Sequence, residues 1–288
     1  MVVMTDYLSP ARTRFLPTSD GDLAYREEGS GPPLVFLHGG FLDHRMWEQQ
    51  IPAFAANHRV IAPDARGHGA SANATRPFRA ADDLAELIRG LDAGPAVLVG
   101  LSMGGAIAVD TALEHPELVR AIVVSGVGTS EPVFEDPWLL DAFAAQQDAL
   151  EAGDVEGWVA AFMRFTVGPH RELADVAPEV VSRVNEMAVG TLLKHAPDES
   201  DHRIPVADTW NRAAGIAVPA FAINGALDTP DHLGASLRLI AAVPDGRAVA
   251  VPGAAHYPNM EEPAAFNAEL ASFLDRLPRE AVRWGSME

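Results

Sequence analysis

The stretch Gly100-Leu101-Ser102-Met103-Gly104 constrains this chain more than any other, because it sets one serine between glycines, directly after an apolar run and directly before a helix-like one. The run before it, Ala96-Val97-Leu98-Val99, is short, branched and uncharged, as suits a strand buried on both faces of a parallel sheet. The residues after it, Ala106, Ile107, Val109, Ala112 and Leu113, suit a covered helix. Ser102 is therefore expected on a tight strand-to-helix turn, a nucleophile elbow. Such a turn strains the serine backbone and brings strand and helix almost into contact, so Gly100 and Gly104 are demanded by space.

The pattern gains meaning from what surrounds it. His38-Gly39-Gly40 ends an earlier apolar run, Asp228 follows a later one, and His256 follows the last. A serine nucleophile, an orienting acid and a histidine base in that chain order form one of the known arrangements for acyl transfer. Asp228 comes directly after an apolar run and the turn Asn224-Gly225-Ala226-Leu227, whereas Asp231 belongs to the next helix and Asp245 to a turn far from that edge. His256 follows Pro252-Gly253-Ala254-Ala255, a loop of small residues that lets an imidazole turn toward Ser102. His232, one helical turn beyond Asp228, is expected not to reach across it.

An oxyanion needs donors. The Met103 N–H, at the amino end of the helix after the serine, is one. The loop after Leu34-Val35-Phe36-Leu37 should supply the other, with Gly40 the first choice and Phe41 the second, while His38 braces that loop. No histidine pair has i, i+4 spacing, so no metal site is expected, and no organic cofactor either.

The chain has 288 residues and 48% hydrophobic content, enough for one large domain with a substantial insertion. It has no cysteine, which excludes disulfides, a thiolate nucleophile and Cys-based metal sites. The formal charge of −19 argues against nucleic acid and anionic membranes, and Lys194 is the only lysine. The expected partner is a small neutral, partly apolar substrate. No stretch approaches the roughly 20 apolar residues of a membrane span, and Met1 to Asp6 lacks the features of a signal peptide, so a cytoplasmic location is expected.

Along the chain, Thr13-Arg14-Phe15-Leu16 and Leu23-Ala24-Tyr25-Arg26 read as a hairpin around Asp20-Gly21, followed by strands at Leu34 to Leu37 and Val60 to Ala62. Leu84, Leu87, Ile88 and Leu91 give an amphipathic helix, and Ala121 to Val124 the strand after the Ser102 helix. From Val127 to Arg212 the alternation stops. Val155, Trp158, Val159, Phe162 and Met163 share one helical face, and Val180, Val181, Val184 and Met187 another, so 127–212 reads as an inserted helical cap. Residues 1–126 and 213–288 then form the α/β core. Alternation resumes with strands at Pro219 to Ile223 and Ala248 to Val251, a helix around Ser236 to Ala242, and a closing helix carrying Phe266, Leu270 and Phe273 that stops at Pro278, beyond which a loosely held tail is expected. Phe134, Trp138, Trp158, Phe162 and Phe165 read first as the cap's own core. Phe41, Trp138, Phe162 and Tyr257 are the candidates for touching substrate.

From Thr13 to Leu277 the chain resembles the α/β-hydrolase superfamily, a mostly parallel sheet flanked by helices. Asp43-His44-Arg45-Met46-Trp47, Pro63 to Ser71 and Gly100 to Gly105 are similar to the branch of 3-oxoadipate enol-lactonases and cofactor-free perhydrolases and esterases. The resemblance implies hydrolysis of a small carboxylic ester or lactone through an acyl-serine, with Asp64 to Gly69 a structural turn near the site and the cap selecting substrate. Enzymes of this superfamily with an aspartate nucleophile do not match, since position 102 is serine. Carbon–carbon bond hydrolases often carry tryptophan after the histidine, where this chain has Tyr257. That reading, perhydrolysis, and a non-catalytic ligand receptor on the same fold are the alternatives.

Overall fold

The computed structural model describes residues 13–196 and 199–278. The expectations for Met1 to Asp6 and for the tail after Pro278 lie outside them. Eight strands form one sheet in the order β1-β2-β4-β3-β5-β6-β7-β8. β1 (Arg14–Thr18) and β2 (Gly21–Glu28) make the expected hairpin, and β2 pairs antiparallel with β4. From β4 onward every pairing is parallel: β3 (Pro33–Leu37), β4 (Arg59–Pro63), β5 (Ala96–Leu101), β6 (Val119–Ser125), β7 (Ala220–Gly225) and β8 (Gly246–Val251).

The two-residue period of the strands splits the core in two. Leu34, Phe36, Val97, Val99 and Phe221 face one side, where α1 (Gln50–Phe54) and α10 (Pro263–Arg276) pack through Phe54, Phe266 and Phe273. Val35, Leu98 and Ile122 face the other, against α2 (Ala80–Gly90), α3 (Met103–Glu114) and α8 (Pro230–Ala242). The helix expected from Leu84, Leu87 and Ile88 is α2, and those three side chains are buried. Burying both faces is why the strands read as continuous apolar runs.

Between β6 and β7 lie α4 (Pro137–Ala152), α5 (Val155–Val167) and α6 (Pro178–Leu192), then the short α7 (Thr209–Arg212). Asp136 and Asp154 cap α4 and α5 by accepting from Leu139 and Gly157 N–H, and Gly153 ends α4 in the left-handed region, φ 67°. The insert has no separate core: Leu139, Trp158, Phe162, Val184 and Met187 join the same apolar cluster as Phe36 and Trp47. A four-residue helix, α9 (Pro258–Glu261), follows β8 and precedes α10.

Candidate functional site

Gly40, Ser102, Met103, Asp228 and His256 all follow the carboxyl ends of parallel strands, the edge at which open α/β sheets bind ligands. Ser102 follows β5 with φ 52° and ψ −117°, a left-handed conformation that costs a non-glycine residue about 1–3 kcal/mol. The turn that imposes it is as tight as the sequence implies. A Cβ on Gly100 would run into the Gly104 carbonyl, and one on Gly104 into the Leu37 carbonyl. The Ser102 N–H donates to Ser125 O at 2.8 Å, which ties the turn to the end of β6.

The loops after β7 and β8 are zipped together, and this brings Asp228 to His256. Ala226 N–H donates to Val251 O and Leu227 N–H to Ala254 O, each at 2.9 Å, and a Cβ on Gly225 would overlap the Ala255 carbonyl. His256 Nδ1 then lies 2.8 Å from Asp228 Oδ2, both residues buried. A carboxylate only accepts, so Nδ1 carries the proton and Nε2 presents a lone pair. The ring rests on Gly126, where a Cβ would meet His256 Cε1 at 2.7 Å and Nδ1 at 2.8 Å. Gly126 directly follows Ser125, the acceptor for Ser102 N–H, so the serine turn and the imidazole pack on the two ends of one dipeptide. Neither Ser102 Oγ nor His256 Nε2 has a hydrogen-bond partner among the described residues, each other included. Such bonds often form only in the substrate complex.

Sequence reasoning missed the part taken by His232. As expected, it stays beside Asp228, but there its Nδ1 lies 2.8 Å from Asp228 Oδ1, and its ring stacks on that of His256 with centroids 4.3 Å apart. Thr229 N–H also donates to Oδ1 at 2.7 Å. Burial works against the Asp228 charge, yet the imidazoles of His256 and His232 hold its carboxyl well below the usual carboxylate range. Burial also lowers His256, and the Asp228 charge opposes that only in part, so the ring stays neutral to more acid pH than an ordinary histidine. The signal for His232 was Asp-x-x-x-His straight after a strand, since i, i+4 side chains meet on a helix.

Gly40 and Met103 face each other, a Cβ on Gly40 standing 3.9 Å from that of Met103. Met103 opens α3, so its N–H has no carbonyl one turn back, and among the described residues Gly40 N–H has no partner. Phe41, with φ 60°, turns the chain away. His38 braces this loop: its Nε2 accepts from Ala65 N–H at 2.9 Å and its Nδ1 donates to Gly39 O at 2.8 Å. Asp64 ties the neighbouring turn, accepting from His44 N–H at 2.8 Å and Ala70 N–H at 2.9 Å.

The substrate candidates divide. Phe41 contacts Trp158 (centroids 4.7 Å) and Phe162 (5.7 Å), and Phe162 leads through Phe165 to the His256 ring at 6.1 Å. Tyr257 lies edge-on to His256 at 5.3 Å. Trp138 is not brought to this cluster. Its ring packs half-buried against the apolar core, lies under the Arg164 guanidinium at 4.9 Å and lines a separate groove between α5 and α6. Trp158 and Phe165, read from sequence as cap core, are buried in the apolar cluster and also border the site.

Among the described residues, two clusters have metal-ligand types within 4.8 Å, Asp228-His232-His256 and Asp43-His44-Asp64. In both the donors already hold one another, or Arg45, which binds both Asp43 oxygens.

The chain belongs to the alpha/beta hydrolase fold family, whose family model matches residues 32–263. It is 32% identical, over 88% of this chain and 97% of the relative, to BpoC of Mycobacterium tuberculosis, whose name assigns it provisionally to the non-heme bromoperoxidases. It is 27% identical to 3-oxoadipate enol-lactonase 2 of Acinetobacter baylyi, over 91% and 96% of the two chains. Among solved structures, a hydrolase from Pseudomonas aeruginosa superimposes with a TM-score of 0.74 at 29% identity, over 92% and 99% of the two chains. The protein is thus a hydrolase of this fold, and among the described residues no helix is long and apolar enough to cross a membrane.

Proposed function

We propose that the protein is a serine hydrolase that cleaves a small carboxylic ester or lactone through an acyl-Ser102 intermediate. The observation that carries the reading is the pairing of a strained serine turn with an imidazole whose Nδ1 is held by a buried carboxylate and whose Nε2 is unengaged. Ser102 Oγ attacks the carbonyl carbon while His256 Nε2 takes its proton, and Asp228 stabilises the imidazolium. The tetrahedral oxyanion sits between the N–H groups of Gly40 and Met103, each worth about 2.7–4 kcal/mol in the transition state. The C–O bond to the leaving group then breaks and His256 returns the proton to it. Water, deprotonated by His256, attacks the acyl-serine, and Ser102 recovers its proton as the acid departs. Esterase and enol-lactonase names among the relatives favour an ester or lactone carbonyl.

The insertion 127–212 acts in this reading as the cap that selects substrate, with Phe41, Trp158 and Phe162 forming an apolar roof. The test is labelling by a fluorophosphonate, wild type against Ser102→Ala, together with turnover of a panel of p-nitrophenyl esters and lactones. Labelling confined to the wild type, with turnover, is expected. Equal labelling of both proteins removes Ser102 from the nucleophile role, and labelling without any turnover points to a ligand receptor.

A further inference from the structure

A cavity of about 390 Å³ lies beside the serine turn, apart from the aromatic roof. Its inner wall is one face of α3, with Met103, Ala106, Ile107 and Asp110 at i, i+3, i+4 and i+7. At 1.5 Å rise per residue that face runs about 10 Å away from Ser102. Leu84 and Leu87 of α2 form the opposite wall. Residues 203–206 form the roof, pinned to the chain before α2 by a bridge in which Phe78 N–H donates to His202 O (3.0 Å) and Ile204 N–H to Phe78 O (2.7 Å). The space is thus bounded by regular elements and a fixed strap, and its size is that of a small-ligand pocket.

The two ends differ. At the near end stands Met103, the residue that follows Ser102, whose unbranched side chain can shift to admit a ligand. At the far end stands Asp110, a carboxyl only 8% exposed on an otherwise apolar helix face. One of its oxygens accepts from Ser130 Oγ at 2.7 Å, and among the described residues no arginine pairs with it, whereas the cavity's two arginines are committed to Asp83 and Asp201. Burial raises the Asp110 pKa to about 6. A buried acid of this kind has no part in the chemistry at Ser102 and costs stability where it stands, which marks it for binding.

We infer that this chamber receives the apolar arm of the acyl group and that Asp110 selects arms whose far end donates a hydrogen bond, a hydroxyl or an ammonium. The inference rests on the acyl-Ser102 reading. An extended arm of about eight carbons spans from the serine ester past Met103 to the carboxyl, with methylenes against Ile107 and Leu84. His68, half-buried and lowered to about 3 by desolvation and by His38, adds no charge to the wall at neutral pH.

The test compares kcat/KM for p-nitrophenyl acetate, octanoate and 8-hydroxyoctanoate in wild type, Asp110→Asn and two chamber-filling variants, Ile107→Trp and the milder Ala106→Leu. Wild type should favour the 8-hydroxyoctanoate over the octanoate by about tenfold at pH 8. Asp110→Asn should bring that ratio to within about threefold of one. The filling variants should lower the octanoate-to-acetate ratio at least tenfold. Ratios that stay at the wild-type value in folded variants overturn the chamber while leaving the hydrolase reading intact. If instead Ser102 takes no fluorophosphonate, ligand-observed NMR with octane-1,8-diol decides separately: binding to wild type that Ala106→Leu abolishes upholds the chamber, and no binding, or equal binding to both, rejects it.

Discussion

Replacing His232 by glutamine tests the shared carboxylate directly. The Asp228 carboxylate accepts from both imidazoles, His232 on Oδ1 and His256 on Oδ2, and their rings stack at 4.3 Å. Two protonated imidazoles at that separation repel by about 4 kcal/mol at an effective dielectric near 20, roughly three pH units. Beside burial, the neighbouring His232 is one of the causes that lower His256, against the opposing pull of the Asp228 charge. In the variant the second imidazole is gone, a glutamine amide still donates toward Oδ1, and the Asp228 charge acts on His256 alone. The sign follows: the imidazolium of His256 is better stabilised, and the acid limb of kcat/KM moves to higher pH. The size is bounded above by the roughly three-unit ceiling that full repulsion sets. The assay is kcat/KM from pH 4.5 to 9 on one ester, wild type against His232→Gln. An acid limb that stays put or moves down, with a plateau falling more than 100-fold, would refute the reasoning and make His232 a fold-supporting residue only.

Asp228→Asn should leave unfolding by urea within about 1 kcal/mol of wild type while lowering kcat by about 10⁴, since the imidazole loses the anion that fixes its tautomer; a loss under tenfold would move that role elsewhere. Gly104→Ala drives a Cβ into the Leu37 carbonyl, which no rotamer relieves, and should cost at least about 3 kcal/mol in urea unfolding or prevent folding. Asp110→Asn should stabilise the protein by an amount that grows by about 1.5 kcal/mol between pH 5 and pH 8, since a carboxyl raised from 3.8 to about 6 charges more readily unfolded than folded; a gain that does not change with pH would show that Asp110 titrates normally. Arg171→Met should cost about 3–5 kcal/mol by stranding buried Glu261, and adding Glu261→Met should restore much of it.

That last pair shows where sequence reading ran out. Arg171 follows α5 in the insert and binds Glu261 in α9 at 2.7 Å, Gly253 O at 2.9 Å and Thr166 O at 3.0 Å. Glu261 in turn accepts from Ala255 N–H, so the insert holds the loop that carries His256. Nothing local in Arg171 or Glu261 announces this, because ninety residues separate two groups joined only by packing. Local constraints were legible: the spacing of Gly100, Ser102 and Gly104 implied a strained serine on a tight turn, and the alternation of apolar runs implied strands covered on both faces. Trp138 packs half-buried against the apolar cluster, as its reading as cap core implied, and its ring also carries the Arg164 guanidinium, a pairing that no local pattern announces.

The α3 face holds the more general lesson, because its pattern was present and only its exception was passed over. Met103, Ala106 and Ile107 fit a helix pressed on a core, and the same periodicity places Asp110 among them. An acid on a buried face cannot be absorbed by the packing argument that explains its neighbours. Either it finds a cation, or it is lifted in pKa and kept for something else. Arg212, the cation that most lowers Asp110, forms its hydrogen bonds with Glu114 and two backbone carbonyls instead, so the second route is the one taken. A fold with stability to spare can keep such a group only if removing it would cost function, and the rise in stability expected of Asp110→Asn and its loss of arm selectivity are therefore two readings of one arrangement.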